Sequence, residues 1–265
     1  MWSGRSFRRQ PAADTSPGVT DPWELAQAAA GTAGVKLRAL TSVDDGDAVA
    51  RVIAATWGGQ HLDREVIKAL GVSGNAVWGA EAEGEVVGFV LGWAGVDDDG
   101  LHVHSHMLAS LPDRRHRGVG YALKLAQRAQ ALDQGIDVVR WTFDPMVARN
   151  AWFNAGKLGT VSDRFVRDFY GVMTDALNAG DRTDRLVTRW DLGREPGPRE
   201  LPSDAPVVAV PADHHGSRGA DPEVARRQRD EVAASIEALM ADGYVVAGFD
   251  RDRSAHVFVA RESVS

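Results

Sequence analysis

The stretch that decides the fold is LHVHSHMLASLPDRRHRGVGYALKLAQRAQ, residues 101–130. Polar and apolar residues alternate at its start, which predicts a strand, and an apolar stripe at helical spacing follows Gly120, which predicts a helix. Between the two elements, Arg115, Gly118 and Gly120 give the spacing R-x-x-G-x-G. Glycine lets the main chain approach a ligand closely, and the first amides and positive dipole end of a helix favour an anion. This strand–turn–helix is therefore predicted to bind phosphate.

Two better-known phosphate motifs do not match this turn. A dinucleotide fingerprint needs G-x-G-x-x-G with an acidic residue about 20 positions further on, and a P-loop needs Gly-Lys-Ser/Thr. The alternative to a phosphate site is a plain strand–turn–helix with an incidental glycine pair. The basic cluster Arg114–Arg117 likewise fits either phosphate contact or a solvated turn.

The run PDRRHRGVG, residues 112–120, resembles the acyl-CoA-binding motif of the GNAT superfamily of N-acetyltransferases, Q/R-x-x-G-x-G/A. The resemblance implies that the amides of this turn bind the pyrophosphate of coenzyme A. The matching residues are Arg115, His116, Arg117, Gly118, Val119, Gly120 and Tyr121. It further implies a bulged motif strand that splays from the strand at 136–143. Pantetheine would lie in that gap, bonded to the main chain of Leu108, Ala109 and Ser110.

Hydrophobic periodicity around the motif predicts the order β-α-α-β-β-β-α-β-α-β-β over residues 34–192, which is the order of the GNAT fold. The predicted class is α/β (α+β) with a mixed central sheet. Residues 1–33 are predicted to be a disordered tail with a short helix near 21–30, and 193–206 a proline-rich linker. Residues 207–265 are predicted to be a β-α-β-β extension. It is too small for a core of its own, so it should pack on the GNAT unit or on a second subunit in a homodimer.

Composition narrows the class of protein. The chain has 265 residues, 44% of them hydrophobic and 25% charged, as in soluble globular proteins, and no apolar run of 18 residues. It has no cysteine, which excludes disulfides, zinc thiolates and a cysteine acyl-enzyme. The net charge of −7 argues against nucleic acid and mildly favours a cationic amine as substrate. These features predict a cytoplasmic protein with no membrane partner and no metal.

Three histidines could supply a base. His102, His104 and His106 alternate, so a regular strand would point all three to one face. An imidazole titrates near neutral pH, as a general base should. Some family members carry two histidines at these offsets and pass the amine proton through them, so the resemblance implies catalysis by His106 and, second, by His104. The alternative is a strand face lined by imidazoles that serve only in hydrogen bonds.

The general acid of many family members is missing. Their tyrosine lies in Y-x-K-x-G, which aligns here with Ala155-Gly156-Lys157-Leu158-Gly159. Tyr121 and Tyr170 are the nearest substitutes, and Tyr244 lies in the extension.

A second motif follows the strand at 136–143. WTFDP at 141–145 and the pair Asn150 and Asn154 resemble a bacterial subfamily of predicted GNAT proteins, some of which N-succinylate amino acids. Four residues apart on a helix, the two amides share one face and could bond pantetheine or the acyl amide. They could equally be polar positions near a helix cap, and Asp144 could be that cap.

The resemblance implies an N-acyltransferase that moves an acetyl or succinyl group from acetyl-CoA or succinyl-CoA to a small-molecule amine or amino acid. The amine would attack the thioester directly, with His106 or His104 relaying its proton. The alternative, favoured by the missing tyrosine, is a non-catalytic acyl-CoA-binding or regulatory protein. Transfer to a protein side chain or to a hydroxyl also stays open.

Overall fold

The computed structural model describes residues 20–58, 62–115, 117–173 and 181–264. The chain divides into two compact units, Met1–Val139 and Arg140–Ser265. The predicted linker at 193–206 therefore lies inside the second unit. Within the described ranges, no helix is long and apolar enough to cross a membrane.

The first unit has the predicted order of elements, preceded by one further helix. It contains α1 (Pro22–Ala33), β1 (Lys36–Ala39), α2 (Val43–Trp57), α3 (Arg64–Val72), β2 (Val77–Ala82), β3 (Glu85–Asp97), β4 (Gly100–Ser110), a 3₁₀ turn (Pro112–Arg114) and α4 (Val119–Asp133).

Helix α1 corrects the predicted disordered tail, of which residues 1–19 lie outside the described ranges. The helix begins at Pro22 because the Asp21 carboxylate caps it, accepting from two amides of the first turn. Ala26 and Ala30 are buried, and the Trp23 indole donates to Asp133 of α4 over 2.7 Å. Helix α1 is therefore part of the packed unit, and the predicted short helix at 21–30 is confirmed.

The sheet of the first unit runs β1-β2-β3-β4, with each neighbouring pair antiparallel. One face packs on α2 and α3 through residues such as Val49, Ile53 and Ile67. The other face packs on α1 and α4 through residues such as Ala30 and Leu123. Strand β3 is apolar on both faces because helices cover both sides of it.

The second unit contains strands together with helices of three types. Its elements are β5 (Val138–Phe143, which begins just before the boundary), α5 (Ala148–Ala151), a π-helix (Trp152–Leu158), β6 (Val161–Val166), β7 (Arg185–Asp191), β8 (Val207–Ala209), α6 (His214–Ala220), α7 (Pro222–Ala241), β9 (Tyr244–Asp250), β10 (Ala255–Ala260) and a 3₁₀ turn (Arg261–Val264).

The C-terminal extension continues the sheet of the second unit, whose order is β5-β7-β6-β9-β10-β8. Strand β9 pairs antiparallel with β6, with Ser162 opposite Val246. Helix α7 buries Val232 and Ile236 in a core that also contains Phe258. The extension thus packs on the preceding strands, which agrees with the expectation that it lacks a core of its own.

Candidate active site

The predicted phosphate turn ends in a glycine-capped helix. Gly118 is the N-cap of α4 and has φ +89°, a conformation that L side chains rarely adopt. This finding explains why glycine stands at position 118. The first turn of α4 contains no acidic residue, so its positive end is not neutralised there. Before the turn, Arg114 lies 3.6 Å from Glu83 and 3.4 Å from Asp113.

The remaining residues of the turn differ in exposure. Arg115 is half-buried and Arg117 is exposed, whereas the predicted ligand His116 lies outside the described residues. Val119 packs in the core, so only its main chain is available to a ligand. Burial raises the pKa of Tyr121, which keeps its hydroxyl protonated at neutral pH. Contact of these residues with coenzyme A stays a prediction.

Along β4, the main-chain amides point alternately toward β3 and away from it. The Leu111 amide donates to the Val87 carbonyl over 2.8 Å, and the register places Phe89 opposite Ala109. In an antiparallel ladder, bonded pairs alternate with pairs whose polar groups point to the other edge. Ala109 therefore bonds to β3, while the amides of Leu108 and Ser110 point away from β3. Contact of Leu108, Ala109 and Ser110 with pantetheine stays a prediction.

A β-bulge on β4 centres on His106. The register passes from Leu91 opposite Met107 directly to Gly92 opposite Ser105, so His106 is the extra residue. The bulge changes the alternation of side chains, because Met107 joins the core that contains Leu91. In a regular strand, Met107 would lie on the face opposite to His106. The family resemblance implied a bulge in this strand, and the structure places it at the predicted base.

His104, His106 and Trp93 form a cluster of three rings. The Trp93 ring centroid lies 5.1 Å from that of His104 and 4.9 Å from that of His106, and the two imidazoles are 5.9 Å apart. Trp93 in turn packs against the core between the sheet and α2 and α3. The structure therefore brings together the two histidines that the sequence selects as candidate bases.

Partial burial favours the neutral form of the His104 and His106 imidazoles. Partial desolvation lowers the pKa of His106, although its side chain remains exposed. Desolvation also lowers the pKa of half-buried His104, with smaller contributions from His106, His102 and Lys124. A neutral imidazole can accept a proton, so both groups are prepared to act as bases at neutral pH.

His102 occupies a different environment at the end of the hairpin. It is buried, its Nδ1 lies 3.2 Å from the Gly100 carbonyl oxygen, and its ring lies against Gly95. It is 3.8 Å from Asp97. These contacts fit a role in shaping the β3–β4 turn.

A buried polar group behind the bulge is not apparent from the sequence. Lys124 of α4 is 2% exposed, and its Nζ donates to Ser105 Oγ over 3.0 Å and to Gln127 Oε1 over 2.7 Å. Desolvation lowers the Lys124 pKa well below its ordinary value. Lysine is normally exposed, and the neighbouring apolar stripe of α4 gives no sign that Lys124 and Gln127 are also buried. The one available signal is their spacing of three residues, which places them on one helical face.

In the second unit, the helix that contains Asn150 and Asn154 is not a regular α-helix. Four α-helical residues are followed by the π-helix Trp152–Leu158. The Trp152 ring lies over Gly156, where an added Cβ would come within 2.1 Å of it. Asn154 is buried and its Oδ1 accepts from the Trp141 indole over 3.3 Å, while Asn150 is half-buried. Asn154 thus has a structural partner, and contact of either amide with pantetheine stays a prediction.

Ala155 stands at the position that aligns with the tyrosine of Y-x-K-x-G, and it is buried. Tyr170 is the better substitute in this unit. Its side chain is exposed, its hydroxyl lies 3.0 Å from Thr142 Oγ1 on β5, and the Arg185 guanidinium lies over its ring at 5.4 Å. Tyr244 packs against the core of α7 and β9.

Asp144, the predicted helix cap, serves mainly in an ion-pair network. Its Oδ1 accepts from the Met146 amide, and both carboxylate oxygens accept from Arg229 at 3.1 and 2.9 Å. Arg229 also pairs with Asp181. The Oδ2 atom of Asp181 lies 3.0 Å from His214 Nε2. His214 is the first residue of helix α6.

Several solved structures are similar to this chain. Naa20 of Chaetomium thermophilum, in complex with a bisubstrate analogue, is 18% identical with a TM-score of 0.49; the match covers 63% of this chain and 95% of that one. Naa50 of Arabidopsis thaliana is 16% identical with a TM-score of 0.48, covering 59% and 97%. Diaminobutyrate acetyltransferase EctA of Paenibacillus lautus is 19% identical with a TM-score of 0.43, covering 62% and 98%.

No curated protein matches the sequence. The family model "Acetyltransferase (GNAT) family" matches residues 47–153. This stretch runs from α2 to the start of the π-helix and includes the bulged strand, the glycine-capped turn and both candidate bases. Over residues 47–153, the sequence of this chain therefore matches the model of the acetyltransferase (GNAT) family.

Proposed function

We propose that the protein is an acyl-CoA-dependent N-acetyltransferase whose acceptor is a small-molecule amine or amino acid. One observation carries the proposal: the glycine-capped start of α4 directly follows a strand whose bulge presents two imidazoles with lowered pKa. The turn supplies amides for a pyrophosphate, and the strand supplies a base for an ammonium.

In the proposed reaction, His106 accepts a proton from the acceptor ammonium, with His104 as the second member of the relay. The freed amine nitrogen attacks the thioester carbonyl carbon, the carbon–sulfur bond breaks, and the thiolate of coenzyme A takes up a proton. Tyr121 and Tyr170 are the two candidate donors of that proton. No covalent intermediate on the protein is required, because the amine attacks directly.

The acceptor is proposed to be small and cationic in its resting form, in keeping with the net charge of −7. Acetyl-CoA is the proposed donor. Succinyl-CoA is a second candidate, supported only by the resemblance of WTFDP and the Asn150 and Asn154 pair to a subfamily with succinylating members.

The test measures thiol release from acetyl-CoA and succinyl-CoA with a panel of amines and amino acids. We expect His106→Ala to lower kcat by roughly 10²–10⁴-fold, the usual contribution of a general base, with acyl-CoA affinity nearly unchanged. His104→Ala should have a smaller effect. If both single variants and the double variant retain wild-type rates from about pH 6 to 9, the proposed relay is wrong.

A non-catalytic acyl-CoA-binding protein is the second candidate. The observation that favours it is the buried Ala155 at the position of the usual tyrosine. Calorimetry separates the two: tight binding of acetyl-CoA without turnover for any acceptor would support the binding protein.

A further inference from the structure

The position of both candidate bases depends on the bulge at His106. His104 and His106 lie on the face of β4 that contacts Trp93. Ser105 lies on the other face and pairs with Gly92 of β3. A slip of one residue in a strand moves every side chain to the other face. If the extra residue lay on the N-terminal side of His104 instead, Ser105 would face Trp93 and both imidazoles would turn toward α4.

Buried polar contacts on the α4 side oppose such a slip. Lys124 Nζ donates to Ser105 Oγ and to Gln127 Oε1, and the three residues are 2%, 7% and 0% exposed. Loss of the Ser105 contact would leave a buried donor unsatisfied, which is costly in a low-dielectric interior. The register with Ser105 facing α4 is therefore favoured over its neighbours.

On the neighbouring strand β3, Gly92 leaves room for the Gln127 side chain beside the bulge. A Cβ on Gly92 would lie 2.6 Å from the His104 carbonyl oxygen and 2.9 Å from Gln127 Nε2. Glycine at position 92 thus allows the Gln127 amide to reach the bulge from α4. A polar group buried at such a cost is often retained because it selects one register over others.

We propose that Lys124 is a positioning residue for His104 and His106, acting through Ser105 to fix the bulge that places both imidazoles beside Trp93. The inference deepens the proposed function and rests on it for its kinetic consequence. Lys124 also acts electrostatically, since it is one of the groups that lower the pKa of His104. The others are His106 and His102 on the same strand, and desolvation is the largest cause.

The primary experiment is NMR titration of the histidine rings in the full chain without ligand. Lys124→Met keeps the length of the side chain and removes the donor. We expect it to displace the ring resonances of His104 and His106 and to raise the pKa of His104. Ser105→Ala, which removes the acceptor at the bulge, should displace the same resonances and decides the question if Lys124→Met does not fold. Lys36→Met removes an exposed lysine on β1 and should displace neither.

Kinetics form the second arm of the experiment. Lys124→Met should lower kcat by at least about tenfold while the KM for acyl-CoA changes less than about twofold, because the turn that binds the donor is unaltered. Unchanged histidine resonances and pKa values in both folded variants would overturn the proposal. If the wild-type protein acylates no amine, the proposed function fails, but displaced resonances would still support the positioning role.

Discussion

His256 should make the protein less stable in mild acid. The imidazole is fully buried on β10 and lies 5.3 Å from the ring of Phe249 and 6.4 Å from that of Phe143. Its Nε2 donates to the Pro145 carbonyl over 2.8 Å, and its Nδ1 accepts from no described residue. Desolvation lowers its pKa from 6.5 to about 4, against smaller opposing contributions from the Pro145 contact and Asp144.

The sign follows from proton binding in the two states. Between pH 6.5 and about 4, the unfolded chain protonates His256 and the folded chain does not. Stability therefore falls as the pH falls through this window, and the contribution of His256 levels off below about 4, where both states are protonated. At ~1.4 kcal/mol for each pH unit between the two pKa values, the full loss is roughly 3 kcal/mol.

The measurement is urea unfolding of the wild type and His256→Gln at a series of pH values from neutral down to about pH 4.5. Glutamine can still donate to the Pro145 carbonyl but does not titrate. The wild type should lose roughly 2–3 kcal/mol more than the variant over this range. Every other group titrates in both proteins, so it cancels in the difference. Equal pH slopes for the two proteins would refute the reasoning.

Three further results are expected. Gly118→Val should weaken acetyl-CoA binding by calorimetry more than about tenfold, because valine is strained at the positive φ of the helix cap; unaltered affinity in a folded variant would count against the phosphate site. Gly156→Ala should lower stability by about 1–3 kcal/mol because its Cβ overlaps the Trp152 ring. Gly219→Ala, with open space around it, is the matched control and should change stability little or raise it. Truncation after Leu192 should give an aggregating chain because it exposes the edge of β6; a soluble product with the wild-type melting temperature would contradict this.

The order of elements could be read from the sequence because periodicity reports burial directly. The strand at 101–110 and the helix after Gly118 have the predicted type within a residue or two, and the need for glycine at 118 is explained by its φ. The extension also has its predicted strands and long helix. These features depend on local pattern, which a sequence contains in full.

The details of the candidate site depend on contacts between distant residues. Alternation predicts a shared face for His104 and His106, but it does not show that Met107 returns to that face after a bulge. In the sequence, Lys124 and Gln127 look like surface positions because lysine and glutamine are usually exposed. The π-helix begins at Trp152, whose ring packs on Gly156, and hydrophobic periodicity does not distinguish a π-helix from an α-helix.

The pairing of β6 with β9 has a consequence for synthesis on the ribosome. Strands β1 to β4 and the helices that cover them are complete once residue 139 has emerged, so the first unit can fold early. In the second unit, Ser162 pairs with Val246, and β10 and β8 lie beyond β9. Strand β6 must therefore wait with an open edge until most of the remaining chain has been translated. That interval, in which an unpaired strand is exposed, is when a nascent second unit is most in need of a chaperone.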